Sequence, residues 1–98
     1  MNTKQRESIM LRAIQRFGVN GQMMKAAEEA GELVQAIVKH LLAPSAETRL
    51  ALLDECADAA IMLEQIKLMS PYVAANLDGR IEHKLERLDE LTMHAEER

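Results

Sequence analysis

The chain is poor in rings. Phe17 and Tyr72 are its only aromatic side chains, so aromatics make up 2% of its 98 residues. Its core must therefore come from Leu, Ile, Val, Met and Ala, and little is left to stack against a planar base. Cys56 is the only cysteine, which excludes an internal disulfide, disfavours zinc and suits a reducing compartment. Positive charge is also short. A net charge of −4 argues against a general binder of nucleic-acid polymers, which usually shows a basic face. No apolar run approaches the ~20 residues of a membrane-spanning helix, and the opening MNTKQRESIM is too polar for a signal peptide. The chain has no internal repeat, long linker or low-complexity segment. The expectation is one cytoplasmic domain over residues 1–98, with no membrane partner.

What is present favours helix. The chain is 48% apolar and rich in Ala, Leu, Glu, Gln, Lys and Met, all good helix formers, so the expected class is all-α. A core this light in aromatics is expected to need a second chain to complete it.

Four helices are predicted. The first covers about Thr3 to Arg16, with Thr3 as N-cap and Ile9, Met10, Ala13, Ile14 and Phe17 at helical spacing. A break is expected over Phe17-Gly18-Val19-Asn20-Gly21. The second runs from about Gly21 to Leu42, with Met23, Ala27, Ala30, Val34, Ile37, Val38 and Leu41 on one broad arc. Lys25, Glu28, Glu32, Gln35 and Lys39 lie opposite, and Glu29 lies at the border beside Leu33 and Ala36. The third runs from about Ala46 to Met69 with Ser45 as N-cap. It is apolar nearly all round, the mark of a buried helix. The fourth follows the cap Ser70-Pro71 to about Ala95, with Asp78-Gly79 as a candidate kink. Its stripe is Ile81, Leu85, Leu88 and Leu91, with Lys84 inside it and Arg80 and Arg87 at its edge. Phe17 is read as a core anchor or a stacking face for a base, with the core favoured; Cys56 and the methionines Met23, Met24, Met62 and Met69 are expected in the core. The histidines His40, His83 and His94 are expected at the surface.

Two acidic clusters stand out. KAAEEAGELVQ carries Glu28, Glu29 and Glu32 beside Gly31, and DECAD carries Glu55 and Asp58 in the most apolar helix. Residues three apart share a helix face, so each cluster offers two carboxylates to one point. Two such helices packed side by side could gather four. Carboxylates so close raise each other's pKa, and a divalent cation resolves the conflict. Mg²⁺ takes oxygen ligands and sits on carboxylates plus substrate phosphate. For Glu28 and Glu32 alone a solvated helix face is the simpler reading, with Lys25 relieving some repulsion by pairing with Glu29. Lys84 inside an apolar stripe is read either as snorkelling or as a ligand for a buried anion such as a polyphosphate.

E-E-x-x-E followed after 22 residues by E-x-x-D resembles the MazG-like all-α nucleoside triphosphate pyrophosphohydrolases. QMMKAAEEAGELVQAIVK and LLDECADAAIMLEQI read like the two core helices of that family, and IEHKLERL like its following basic segment. The resemblance covers roughly residues 17–91. It implies a four-helix-bundle-type fold completed by homodimer or tetramer formation. It implies Glu29, Glu32, Glu55 and Asp58 as Mg²⁺ ligands, with Mn²⁺ as a substitute, and Glu28 as an acid that helps position or activate water or helps hold a further metal ion. Lys84 and Arg87, with Lys25, are then the residues for the phosphate chain. The implied reaction is cleavage of a nucleoside triphosphate between its α and β phosphates, serving nucleotide-pool housecleaning. Phosphoribosyl-ATP, dUTP or dCTP are alternative substrates within the superfamily. A non-catalytic helical interaction dimer is the alternative outside it.

Overall fold

The computed structural model describes residues 1–96, with side chains through Met93, and consists of four α-helices joined by very short connections. They are α1 (Thr3–Phe17), α2 (Val19–Leu42), α3 (Ala46–Met69) and α4 (Pro71–Glu96). The chemistry of the caps fixes these limits. The α1 cap is Asn2, one residue before the expected Thr3. Its side chain accepts the Gln5 N–H at 2.8 Å while Gln5 accepts the Asn2 N–H at 2.7 Å. This reciprocal pair satisfies two otherwise orphaned donors. Ser45 and Thr48 form the same device at the start of α3, at 3.1 and 2.9 Å. Ser70 accepts the Val73 N–H at 3.2 Å, and Pro71 takes the first helical position of α4, where its missing donor costs nothing. No break occurs at Asp78-Gly79, and α4 continues through both residues.

The break between α1 and α2 is narrower than the sequence suggests. It is confined to Gly18, at φ +83°, a backbone region that favours glycine. The Gly18 N–H donates to Ile14 at 2.8 Å, and its carbonyl accepts from Gln22 at 3.0 Å. A single residue therefore closes one helix and opens the next.

The hairpin of α2 and α3 is the centre of the molecule. On α2 the covered positions include Gln22, Ala26, Glu29, Leu33, Ala36 and His40; on α3 they include Thr48, Leu52, Glu55, Ala59, Met62, Ile66 and Met69. Both sets step by alternating fours and threes, the spacing of a coiled-coil seam. A 2.8 Å hydrogen bond between His40 Nδ1 and Thr48 Oγ1 ties the two helices beside the connection. His40 is thus half-buried on the seam rather than at the surface.

This seam is not the arc that the apolar pattern of α2 predicts. Ala27, Ala30, Val34, Ile37, Val38 and Leu41 are all exposed. The small residues Ala26 and Ala36 on α2 and Ala59 on α3 let the helix axes approach, and the α2 seam is centred roughly 100° round the helix from the broad apolar arc. That arc is therefore left open. The all-round apolar α3 is also largely uncovered, since only Met62 and Gln65 on it are buried. Phe17, Met24 and Cys56 are exposed, against the expectation of core positions. The helix α1 lies against the hairpin, and Ile9 and Met10 share a groove of about 570 Å³ with Ala57, Ala60 and Ile61 of α3.

In the described chain α4 touches α3 alone. Val73 and Leu77 are half-covered, but every residue from Asp78 to Met93 is exposed. The last two-thirds of α4 is thus an arm that leaves the bundle. The radius of gyration is 16.8 Å, against about 13 Å for a compact chain of this length. The accessible surface is 8022 Å², where a compact monomer of this mass shows about 5,600 Å². No helix among the described residues is long and apolar enough to cross a membrane.

Candidate metal centre

The seam carries an unusual passenger. Glu29 is one of the few buried residues, with 6% of its surface exposed. Buried carboxylates are rare without partners. One oxygen has a partner, because Lys25 Nζ lies 3.2 Å from Glu29 Oε1 across one helical turn. The other, Oε2, is buried with no hydrogen-bond partner among the described residues. Leaving such a group unsatisfied costs about 1–3 kcal/mol, more when it is charged.

Glu29 does not stand alone. Glu29, Glu32 and Glu55 each place one carboxylate oxygen so that all three lie within 4.8 Å of one another. Among the described residues this is the only group of three or more His, Cys, Asp or Glu side chains so arranged. The seam explains the meeting. Antiparallel packing with His40 beside Thr48 sets Leu33 opposite Glu55, so Glu29 and Glu32 flank Glu55 from the facing helix.

The electrostatics match the geometry. Glu55 has its pKa raised from 4.5, first by loss of hydration and then by the charges of Glu32, Glu29 and Asp58. A hydrogen bond with Glu32 raises it further. Its Oε2 is a second buried oxygen without a satisfying partner. Lys25 is raised as well, from 10.5, held protonated first by its contact with Glu29 and then by the charge of Glu28. This ammonium is the only cation paired with the cluster among the described residues.

Of the eight residues singled out in the sequence, Lys25 pairs with Glu29 and the other seven fall into three groups. Glu29, Glu32 and Glu55 converge. Asp58 and Glu28 sit outside the 4.8 Å set, although Asp58 is near enough to raise Glu55 and Glu28 lies 3.8 Å from Lys25. Lys84 and Arg87 lie on the exposed arm of α4, which does not touch α2. Sequence reasoning passed over Gln65, 4% exposed with an unpartnered Oε1, and the buried Gln22. The signal for both was present: a 4-3 count along the helices puts Gln22 on the seam and Gln65 next to it.

The donor set suits a hard divalent cation. It consists of carboxylate oxygens, two of them buried and unsatisfied, with no sulfur or imidazole among the three. Such ligands favour Mg²⁺ or Mn²⁺ over softer metals. The grooves along α1, both lined by Lys4, Ser8 and Arg12, include none of these carboxylates. No family model, curated protein or solved structure matches the chain.

Proposed function

We propose that this protein is a Mg²⁺-dependent nucleotide pyrophosphohydrolase of MazG-like type. The reading rests above all on Glu29. A buried carboxylate with one oxygen unpartnered, grouped with two further carboxylates, is best explained by a cation that belongs there. Glu29, Glu32 and Glu55 would hold it, with Asp58 beside Glu55. When bound, the ion would lower the pKa of a water, orient the phosphates and neutralise charge on the leaving pyrophosphate.

The chain's own residues supply the rest. Glu28 is exposed and free to accept the proton that water loses as it adds at the α–β anhydride. Lys25 stays protonated beside it and offers the phosphates a positive charge. Lys84 and Arg87 bind the phosphate chain as cations whose donors match its oxygens. The P–O bond to pyrophosphate breaks, leaving the nucleoside monophosphate. Phosphoryl-type transfer needs mainly positioning and charge stabilisation, and that is within reach of a helical scaffold with no nucleophilic side chain. The natural setting of this activity is the cytoplasmic nucleotide pool, in a homodimer or tetramer.

The test is pyrophosphate release from a panel of nucleoside and deoxynucleoside triphosphates and phosphoribosyl-ATP, with and without Mg²⁺ or Mn²⁺. Glu55→Gln should lower turnover by roughly 10²–10³-fold while the helical circular dichroism is retained. A panel with no turnover in either metal sinks the proposal. It would leave the second reading, a non-catalytic helical interaction dimer, which the wide exposed apolar faces also favour.

A further inference from the structure

We propose that the outer face of α2 is the seat of the α4 arm from a second copy of this chain, so that Lys84 and Arg87 meet the α2 carboxylates across the subunit junction. The role of the two bases rests on the phosphate-cleaving reading above; the seating of the arm does not. Four observations carry it.

The arm covers nothing in its own chain. Beyond Leu77 every described side chain of α4 is exposed, and the helix contacts neither α1 nor α2. A helix in that position has no tertiary reason to keep an apolar stripe, yet Ile81, Leu85, Leu88 and Leu91 maintain one.

The arm is also sorted by charge. At 100° per residue Arg80, Lys84 and Arg87 line one edge of the stripe, while Glu82, Glu86 and Asp89 take the opposite face. None of the three bases forms an ion pair with a described residue. Read as heptads, the stripe has Ile81 and Leu88 at one core position and Leu77, Lys84 and Leu91 at the other. Two such arms zipped together would set Lys84 against its own copy. The fitting occupant is therefore an apolar face edged with acids.

The outer face of α2 has that character. Ala27, Val34 and Val38 are exposed, Val34 to 60%. At 100° per residue Gly31 borders this face, and Glu28 and then Glu32 lie beyond it on the polar side, with Gln35 and Lys39. A Cβ built at Gly31 meets nothing within 4 Å in this chain, so the chain itself gives no reason for a mid-helix glycine that costs about 1 kcal/mol relative to alanine. A helix from outside does give one, because glycine lets two backbones come close.

The area agrees. The chain exposes 8022 Å², about 2,400 Å² beyond the compact expectation. Obligate homodimers bury about 2,000–5,000 Å² in total, or roughly 1,000–2,500 Å² per chain. A two-fold exchange of arms, each on the other's α2, uses the same surface twice and closes the assembly.

Subunit mixing tests the proposal. Glu55→Gln and the double variant Lys84→Ala with Arg87→Ala are each prepared alone, then unfolded in urea and refolded as an equal mixture, with wild type treated alike. If the bases act across the junction, random pairing rebuilds about one quarter of the wild-type sites, and activity returns to that level from two nearly inactive parents. If they act within one chain, no intact site forms and activity stays at the parental level. That result, with refolded wild type active, overturns the proposal. A second measurement needs no turnover. In a Cys56→Ser background, differently tagged Glu28→Cys and Lys84→Cys chains are mixed and treated with a short bismaleimide. Cross-links joining the two tags support the seat on α2; their absence, with both thiols reactive, overturns it. Wild type inert towards every nucleotide but cross-linking between tags would discard the pyrophosphohydrolase and keep the arm.

Discussion

Replacing Gly31 separates a chain that stands alone from one that does not. In the isolated chain the position is open: nothing lies within 4 Å of a Cβ placed there, and the backbone is ordinary helix. Alanine removes the glycine penalty and stabilises by about 1 kcal/mol. Leucine has nearly the helix propensity of alanine and does almost as well. For a domain of this size that gain raises the melting temperature by roughly 4–8 °C. A helix seated on Gly31 reverses the sign for leucine. Four heavy atoms that glycine lacks, three of them past Cβ, must displace a packed backbone, at about 1–3 kcal/mol for each overpacked site. A two-fold pair contains the site twice, so assembly loses roughly 2–6 kcal/mol, a weakening of some 30-fold or more. The assay is sedimentation velocity across a range of concentrations, paired with thermal unfolding followed at 222 nm. The expected result is an oligomeric wild type and a Gly31→Leu variant that dissociates and melts earlier. A Gly31→Leu protein that melts higher and sediments like wild type would refute the reasoning, and α2 would have no helix on its outer face.

Other outcomes follow from the caps, the core and the carboxylates. Because Glu55 is raised above 4.5 in the fold, its protonated form stabilises the metal-free protein. That contribution is complete below about 4.5 and is lost as pH rises through the higher folded value. Glu55→Gln should therefore melt above wild type at pH 8 without metal, and the gap should close as pH falls towards 4.5. A gap independent of pH counts against the cluster. Adding Mg²⁺ at pH 8 should raise the melting temperature of wild type and leave Glu55→Gln nearly unmoved, since only binding to the fold stabilises it. Met62 is one of two buried apolar side chains among the described residues, so Met62→Ala should cost about 2–5 kcal/mol in urea titration; a cost below 1 kcal/mol would mean that the seam is not the core. Ser45→Ala removes one half of a reciprocal cap and should cost about 1 kcal/mol, read from the same titration.

The helix limits were largely legible because caps are local chemistry. Ser45, Ser70 and Pro71 act on residues three or four away, and the sequence displays those pairs directly. Asn2 was misread as Thr3 because both residues can cap, and only the reciprocal bond from Gln5 chooses between them. The convergence of Glu29 with Glu32 and Glu55 was legible from spacing, since carboxylates three apart share a helix face and neighbouring antiparallel helices bring two such faces together. The facing of α2 was not. A hydrophobic count finds the widest apolar arc, whereas two helices pack where small side chains let their axes approach. The alanines at 26, 36 and 59 carry little weight in such a count but settle the contact. For the same reason Phe17, Met24 and Cys56 were expected inside and lie outside. The pattern describes the surfaces that need cover, and with two buried apolar residues among those described most of those surfaces still face outward.

Gly18 leaves α1 no slack. With a single residue between the two helices, the bearing of α1 is geared to the phase of α2. Inserting one residue into either helix beside the joint turns α1 by about 100° and advances it by about 1.5 Å. Ile9 and Met10 would then swing off α3 together. The connection over residues 43–45 is long enough to absorb such a change by rearranging, so length variation should be tolerated between α2 and α3 and forbidden between α1 and α2. The first joint works as a keyed coupling, the second as a hinge.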